Sequence, residues 1–196
     1  MYLIVAIFTY LGSIIDTKGG VTADIKARIG KARQSFGRLR PVWRASNLTK
    51  KTKLRIFNSN VKSVLLYGSE TWCLTKVNEN RLQTFINKCL RYILGIWYPE
   101  RISNQELLER TAQEPVVDVI RKRKWGWLGH TLRRPQDHVT RRALHWNPQG
   151  NRNRGRPAHT WRRELETEIE RENLTWAELN RIAADRDRWR NLIRGL

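Results

Sequence analysis

Carboxylates are scarce in this sequence: 18 Asp and Glu stand against 38 Lys and Arg in 196 residues, a formal net charge of +20. The shortage excludes chemistry as well as setting the field. Nucleotidyl transfer by two metal ions needs carboxylates gathered around Mg²⁺. Of Asp16, Asp24, Asp118, Asp137, Asp185 and Asp187, only the last two are neighbours. They lie among Arg186, Arg188 and Arg190 on an expected helix, where intrahelical ion pairs account for them. Cysteine is rarer still. Cys73 and Cys89 are too far apart for a CxxC site and too few for a disulfide framework, so the expectation is two small buried thiols in a reducing compartment. His130, His138, His145 and His159 are spaced too widely for an HxxxH metal pair. There is no P-loop and no GxSxG. The residues imply no catalysis, metal ion or cofactor of their own.

Long apolar runs are also missing. Met1 to Ile15 carries no charge, but a spanning helix needs about 20 apolar residues and a signal peptide begins with a positive segment. Thr9, Tyr10, Gly12 and Ser13 interrupt the run, and its β-branched and aromatic residues read as a buried strand. The expected location is intracellular, in nucleus or cytoplasm, and not secreted. The alternative is a basic protein tethered to a membrane by Met1–Ile15.

What is abundant is positive charge, unevenly placed. Lys18–Lys62 holds 13 basic residues and one acid, and Arg121–Arg163 again holds 13 and one. Between them Ser63–Ile120 is near neutral, and Glu164–Leu196 leans acidic. An excess this large repels itself in the compact state and attracts polyanions, above all nucleic acid.

Apolar spacing predicts a mainly α protein with a short β element at its start. Ile25, Ile29, Ala32, Phe36 and Leu39 recur at three and four from about Thr22, with Pro41 marking the expected end. A second helix follows Thr49 and breaks at Tyr67-Gly68-Ser69. A third runs from about Asn78 to Leu94, with Gly95 as its C-cap. Ser103–Glu106 and Thr175–Glu178 are capping-box patterns. Val116–Leu132 reads as one helix, Asn147–His159 as a basic loop, and the segment after Trp161 as two helices.

Three constellations could carry binding. Lys26, Arg28, Lys31, Arg33, Arg38 and Arg40 decorate the helix that carries Phe36, an ordinary solvated face whose near-total lack of acids suits a polyanion partner. Arg121-Lys122-Arg123-Lys124 followed by Trp125, Trp127 and His130, with Arg133 and Arg134 beyond, could hold phosphates while a ring stacks on a base. The alternative is that the Trp rings pack and the cations form a solvated face; a mixture fits best, with rings structural and cations electrostatic. Arg152, Arg154 and Arg156 alternate in a Gly/Pro loop before Arg162 and Arg163, a pattern suited to lying along phosphates.

Several strings resemble the C-terminal region of non-LTR (LINE-type) retrotransposon endonuclease–reverse transcriptases. They are Phe8-Thr9-Tyr10-Leu11-Gly12-Ser13-Ile14-Ile15, Leu65-Leu66-Tyr67-Gly68-Ser69-Glu70-Thr71-Trp72, Cys89-Leu90-Arg91-Tyr92-Ile93-Leu94-Gly95-Ile96, Ile102-Ser103-Asn104-Gln105-Glu106-Leu107-Leu108, Trp127-Leu128-Gly129-His130, Arg154-Gly155-Arg156-Pro157 and Thr160-Trp161-Arg162-Arg163. The resemblance covers nearly the whole chain in order. It implies a primer-grip hairpin carrying Phe8, Tyr10, Leu11 and Gly12 within residues 1–20, and a thumb-like helical domain over 21–114. A basic Trp-rich helical segment over 115–146, a loop over 147–159 and a helical pair over 160–196 follow. It implies RNA, DNA or RNA–DNA duplex as partner, together with the palm and fingers of the full-length enzyme. The palm aspartates and their Mg²⁺ lie upstream in that family, so polymerase activity is not expected of these residues. A decayed, inert retrotransposon remnant is the competing expectation.

Overall fold

The computed structural model describes residues 7–10, 12–16, 21–145 and 160–196. The expected class is the observed one: an N-terminal antiparallel hairpin followed by helices. The chain forms two compact units, Met1–Ser69 with Leu74–Val119, and Glu70–Cys73 with Ile120–Leu196.

The first unit opens with β1 (Ile7–Tyr10) paired to β2 (Ser13–Asp16), Tyr10 facing Ser13 across a two-residue turn. Gly12 takes φ +82°, a left-handed conformation glycine adopts without a Cβ penalty. The expected buried strand is corrected here: Phe8 and Tyr10 are 55% and 57% exposed. Strand alternation sends both to one face of the hairpin, where their rings stack at 6.4 Å. The turn is braced from α1 (Thr22–Arg38). Buried Arg28 donates to the Gly12 carbonyl at 2.8 Å and to Ser13 Oγ at 3.1 Å, and lies 4.4 Å from the Tyr67 ring centroid. Asp24 accepts from the Ile14 amide at 2.9 Å.

Pro41 does not close a longer α1. It sits in the first turn of α2 (Arg40–Arg44), where its missing N–H costs nothing. Thr49 then caps α3 (Lys50–Phe57) by accepting from Thr52 N. Asn58–Lys62 widens into a π turn before α4 (Ser63–Leu65). Ser59 Oγ donates to Arg55 O and Asn60 Nδ2 to Ile56 O at 3.1 Å each, side-chain competition of the kind that loosens the regular ladder.

The central element is α5 (Lys76–Leu94), capped by Thr75 and ended by Gly95 at φ +76°. Its buried face, Leu82, Phe85, Ile86, Cys89, Leu90 and Ile93, belongs to the same unit as buried Ile25, Ala32, Trp43, Phe57, Val61 and Leu65. Ser103 caps α6 (Asn104–Thr111), although the Glu106 carboxylate goes to Arg110 at 2.6 Å.

The second unit takes α7 (Val116–Leu132) from Ile120 onward, then α8 (Val139–His145), α9 (Trp161–Arg171), α10 (Trp176–Ala184) and α11 (Arg186–Gly195). Residues 160–196 therefore hold three helices rather than two, while the loop expected over Asn147–His159 lies outside the described residues. Asp185 explains the third: its extended backbone ends α10, and its carboxylate caps α11 by accepting from Asp187 N and Arg188 N. The core gathers Trp125, Leu128, Leu132, Leu165, Ile169, Leu179 and Trp189. Gly129 lets Trp189 lie directly against α7; a Cβ there would collide with the indole. No described helix is long and apolar enough to cross a membrane.

Candidate nucleic-acid interface

The basic tetrad at 121–124 does not stay together as a surface. Lys124 is 1% exposed, with its ammonium held by Glu164 and, at 2.9 Å, by Glu168. Trp125 is fully buried and donates from Nε1 to Glu168 Oε2 at 2.7 Å. Arg121 reaches Glu172 at 2.7 Å and lies 3.8 Å from Glu168. Lys124 and Trp125 are thus withdrawn from the binding set, because an acidic stripe on α9 folds onto this face of α7. Glu164, Glu168 and Glu172 recur at i, i+4 and i+8, a helix-face signal present in the sequence but not used.

The rest of α7 remains outward in part. Trp127 is half-buried and meets Trp161 edge to face at 5.5 Å. Lys122 is half-buried, while Arg123, His130 and Arg134 are exposed. Arg133 donates to Ala183 O at 3.2 Å and approaches His130 Nδ1 at 3.3 Å. Burial, then the nearby charges of Arg186 and Arg190, push the Arg133 pKa down from its ordinary value, so the fold gathers cations there. Arg162 pairs with Glu166 at 2.9 Å, and Arg163 is exposed. Arg152, Arg154, Arg156 and Leu11 lie outside the described residues.

In the first unit the cations are more available. Lys26, Arg33, Arg38, Arg40, Arg44, Lys50, Lys51 and Arg55 are exposed, and none forms an ion pair among the described residues. Asp24, the sole acid of that block, is buried and engaged by Ile14 N and Arg28. Lys31 reaches the Gly12 carbonyl at 3.3 Å, close to the hairpin that presents Phe8 and Tyr10. In the sequence Lys26, Arg28, Lys31, Arg33, Arg38 and Arg40 surround the apolar stripe of α1 as an ordinary solvated face, yet one whose near-total lack of acids suits a polyanion partner; of these Arg28 is instead buried against the hairpin turn.

No group of three or more His, Cys, Asp or Glu converges among the described residues where a metal ion could sit. Burial pushes both thiols up to about 12, with Glu164 adding to the effect at Cys73 and Arg33 opposing it at Cys89. Neither is a ready nucleophile.

Residues 35–67 match a domain of unknown function, DUF6451. Over 196 residues, 95% of this chain and 70% of the other, the sequence is 26% identical to an uncharacterized transposon-derived protein of Caenorhabditis elegans. That similarity supports a transposon origin. No solved structure matches.

Proposed function

We propose that this chain is the primer-grip, thumb and C-terminal nucleic-acid-binding region of a LINE-type retrotransposon reverse transcriptase. It grips template–primer or target nucleic acid, RNA, DNA or their hybrid, through phosphate contacts, and catalysis belongs to a palm outside these residues. It works inside the cell, in nucleus or cytoplasm, where such nucleic acids are met. The observation that carries the reading is the set of exposed cations on α1, α2 and α3, whose sole neighbouring acid in sequence is buried. A solvated helix face ordinarily interleaves both signs of charge; this one has the composition of a polyanion footprint. The ordered series of reverse-transcriptase-like strings and the transposon-derived relative agree with it.

The test is fluorescence anisotropy with labelled RNA–DNA hybrid, DNA duplex and single strands across a salt series. Binding should be largely independent of sequence, with log affinity falling linearly in log salt by about 0.9 per duplex phosphate neutralised. Changing Arg152, Arg154 and Arg156 together to Ala should flatten that slope. No binding to any probe at low salt sinks the proposal; an unchanged slope removes the loop from the interface.

A further inference from the structure

Phosphate contacts give no reason for a tryptophan to stand out of the fold, yet Trp97 is 59% exposed. The chain places it deliberately. Gly95 turns out of α5 in the left-handed conformation, Ile96 packs inward, and a Glu100 N–H to Trp97 O bond of 2.8 Å closes the next turn. The indole is also braced. It meets Tyr92 at right angles at 5.3 Å, Tyr92 meets Phe36 at 5.5 Å, and Phe36 stacks on buried Trp43 at 5.0 Å. Four rings thus run from the core of the first unit to its surface. A ring held this way has already lost much of the rotamer freedom that binding would otherwise cost.

Beside Trp97 is an open groove of about 580 Å³, between the end of α5 and the α2–α3 segment. Trp43 and Tyr92 share its wall with Arg44, Lys50 and Lys53, and no carboxylate lines it. Lys53 is engaged, donating to the Trp43 carbonyl at 2.8 Å. Arg44 and Lys50 are exposed, and neither forms an ion pair among the described residues. The nearest acid on the Trp97 turn, Glu100, lies 3.9 Å from Arg110. Charge at this point is also costly to the fold itself. Helix α3 opens Lys50-Lys51-Thr52-Lys53 with no acid in its first turn, setting like charge against the positive end of the macrodipole. An anion in the groove would relieve that repulsion.

We propose that this groove is a subsite for single-stranded nucleic acid, with one unpaired base stacked on Trp97 and flanking phosphates on Arg44 and Lys50. The inference rests on the nucleic-acid-binding reading above and sharpens it. A duplex keeps its base faces covered by neighbouring pairs, so an exposed ring between cations selects strands whose bases are free.

The full chain should be titrated with a labelled oligouridylate of about 15 nucleotides, within the span of known single-strand sites, and with a duplex of the same length. Trp97→Ala should weaken single-strand binding about tenfold and leave duplex binding within about twofold, whereas Trp97→Phe should recover most of the loss. Arg44→Gln with Lys50→Gln should lower the single-strand salt slope by about 1.4. If the unaltered chain binds but Trp97→Ala changes nothing, or weakens both probes equally, the groove is overturned and the broader proposal stands. If the unaltered chain binds neither probe, both fall together.

Discussion

Lys124 sits almost wholly inside the second unit, between Glu164 and Glu168, and Glu168 also accepts from Trp125. Removing the two partners is not symmetrical. Glu168→Ala strands a buried ammonium with one carboxylate and leaves an indole N–H unpaired, and breaking a buried pair in this way costs about 3–5 kcal/mol. Lys124→Met leaves Glu168 with Arg121 and Trp125 as partners and Glu164, less deeply buried, beside the Cys73 thiol, so the smaller loss is expected. Urea titration of the two variants checks the order; equal losses would remove Glu168 from its central role. The thiols give a second test at this scale. Cys73 and Cys89 are raised from 9.0 to about 12, chiefly by burial, so the folded chain keeps protons that the unfolded chain releases between those values. Their contribution is full below the unfolded pKa and is lost as pH climbs through the folded one. Between about pH 8 and about pH 10.5 the urea midpoint should fall less in a Cys73→Ala, Cys89→Ala variant than in the parent chain.

Helix α7 carries two glycines with opposite roles. Nothing lies within 4 Å of a Cβ added at Gly126, whereas one at Gly129 runs into the Trp189 indole. Gly126→Ala should therefore stabilise by about 0.5–1 kcal/mol through helix propensity. Gly129→Ala gains the same propensity but should destabilise by about 1–3 kcal/mol through overpacking. Thermal melts of the pair decide it, and a stabilising Gly129→Ala would mean that Trp189 can move aside. The elements themselves were largely legible. Apolar spacing located α1, α3, α5 and α7, Gly95 marked the end of α5, and Ser103 and Thr175 marked the starts of α6 and α10. What escaped were decisions made by single side chains with more than one use. Asp185 reads equally as an ion-pair partner and as a cap, Pro41 as a stop and as a start. The π turn depends on Ser59 and Asn60 bonding to carbonyls behind them. The binding residues were harder still. Lys124 and Arg123 are adjacent and alike in sequence, and tertiary packing against the α9 carboxylates buries one while the other stays outside.

Across the whole molecule, two blocks of 13 basic residues with one acid each make self-repulsion a property of the fold. Pairing Glu164 and buried Glu168 with Lys124 uses acids that could have balanced the surface. Salt should therefore raise the melting temperature between about 20 mM and about 300 mM, as the screening length falls below roughly 10 Å. Nucleic-acid affinity should fall over the same range. Opposite responses to one variable separate a cationic binding surface from a merely fragile fold, and a melting temperature that drops with salt would contradict the repulsion.

The contact that Gly129 permits has a spectroscopic consequence. Trp125 and Trp189 are both buried, with ring centroids 5.9 Å apart, planes within 29° and the Trp189 N–H on the Trp125 carbonyl. Two indoles fixed this closely in a chiral environment couple their transitions, so near-ultraviolet circular dichroism acquires a component belonging to the second unit. That component vanishes with side-chain packing even while the helices persist. Trp97 in the first unit is exposed, so its emission should change if a strand stacks on it as proposed. The indole pair thus gives the second unit an intrinsic optical probe of its own packing, separate from Trp97 in the first.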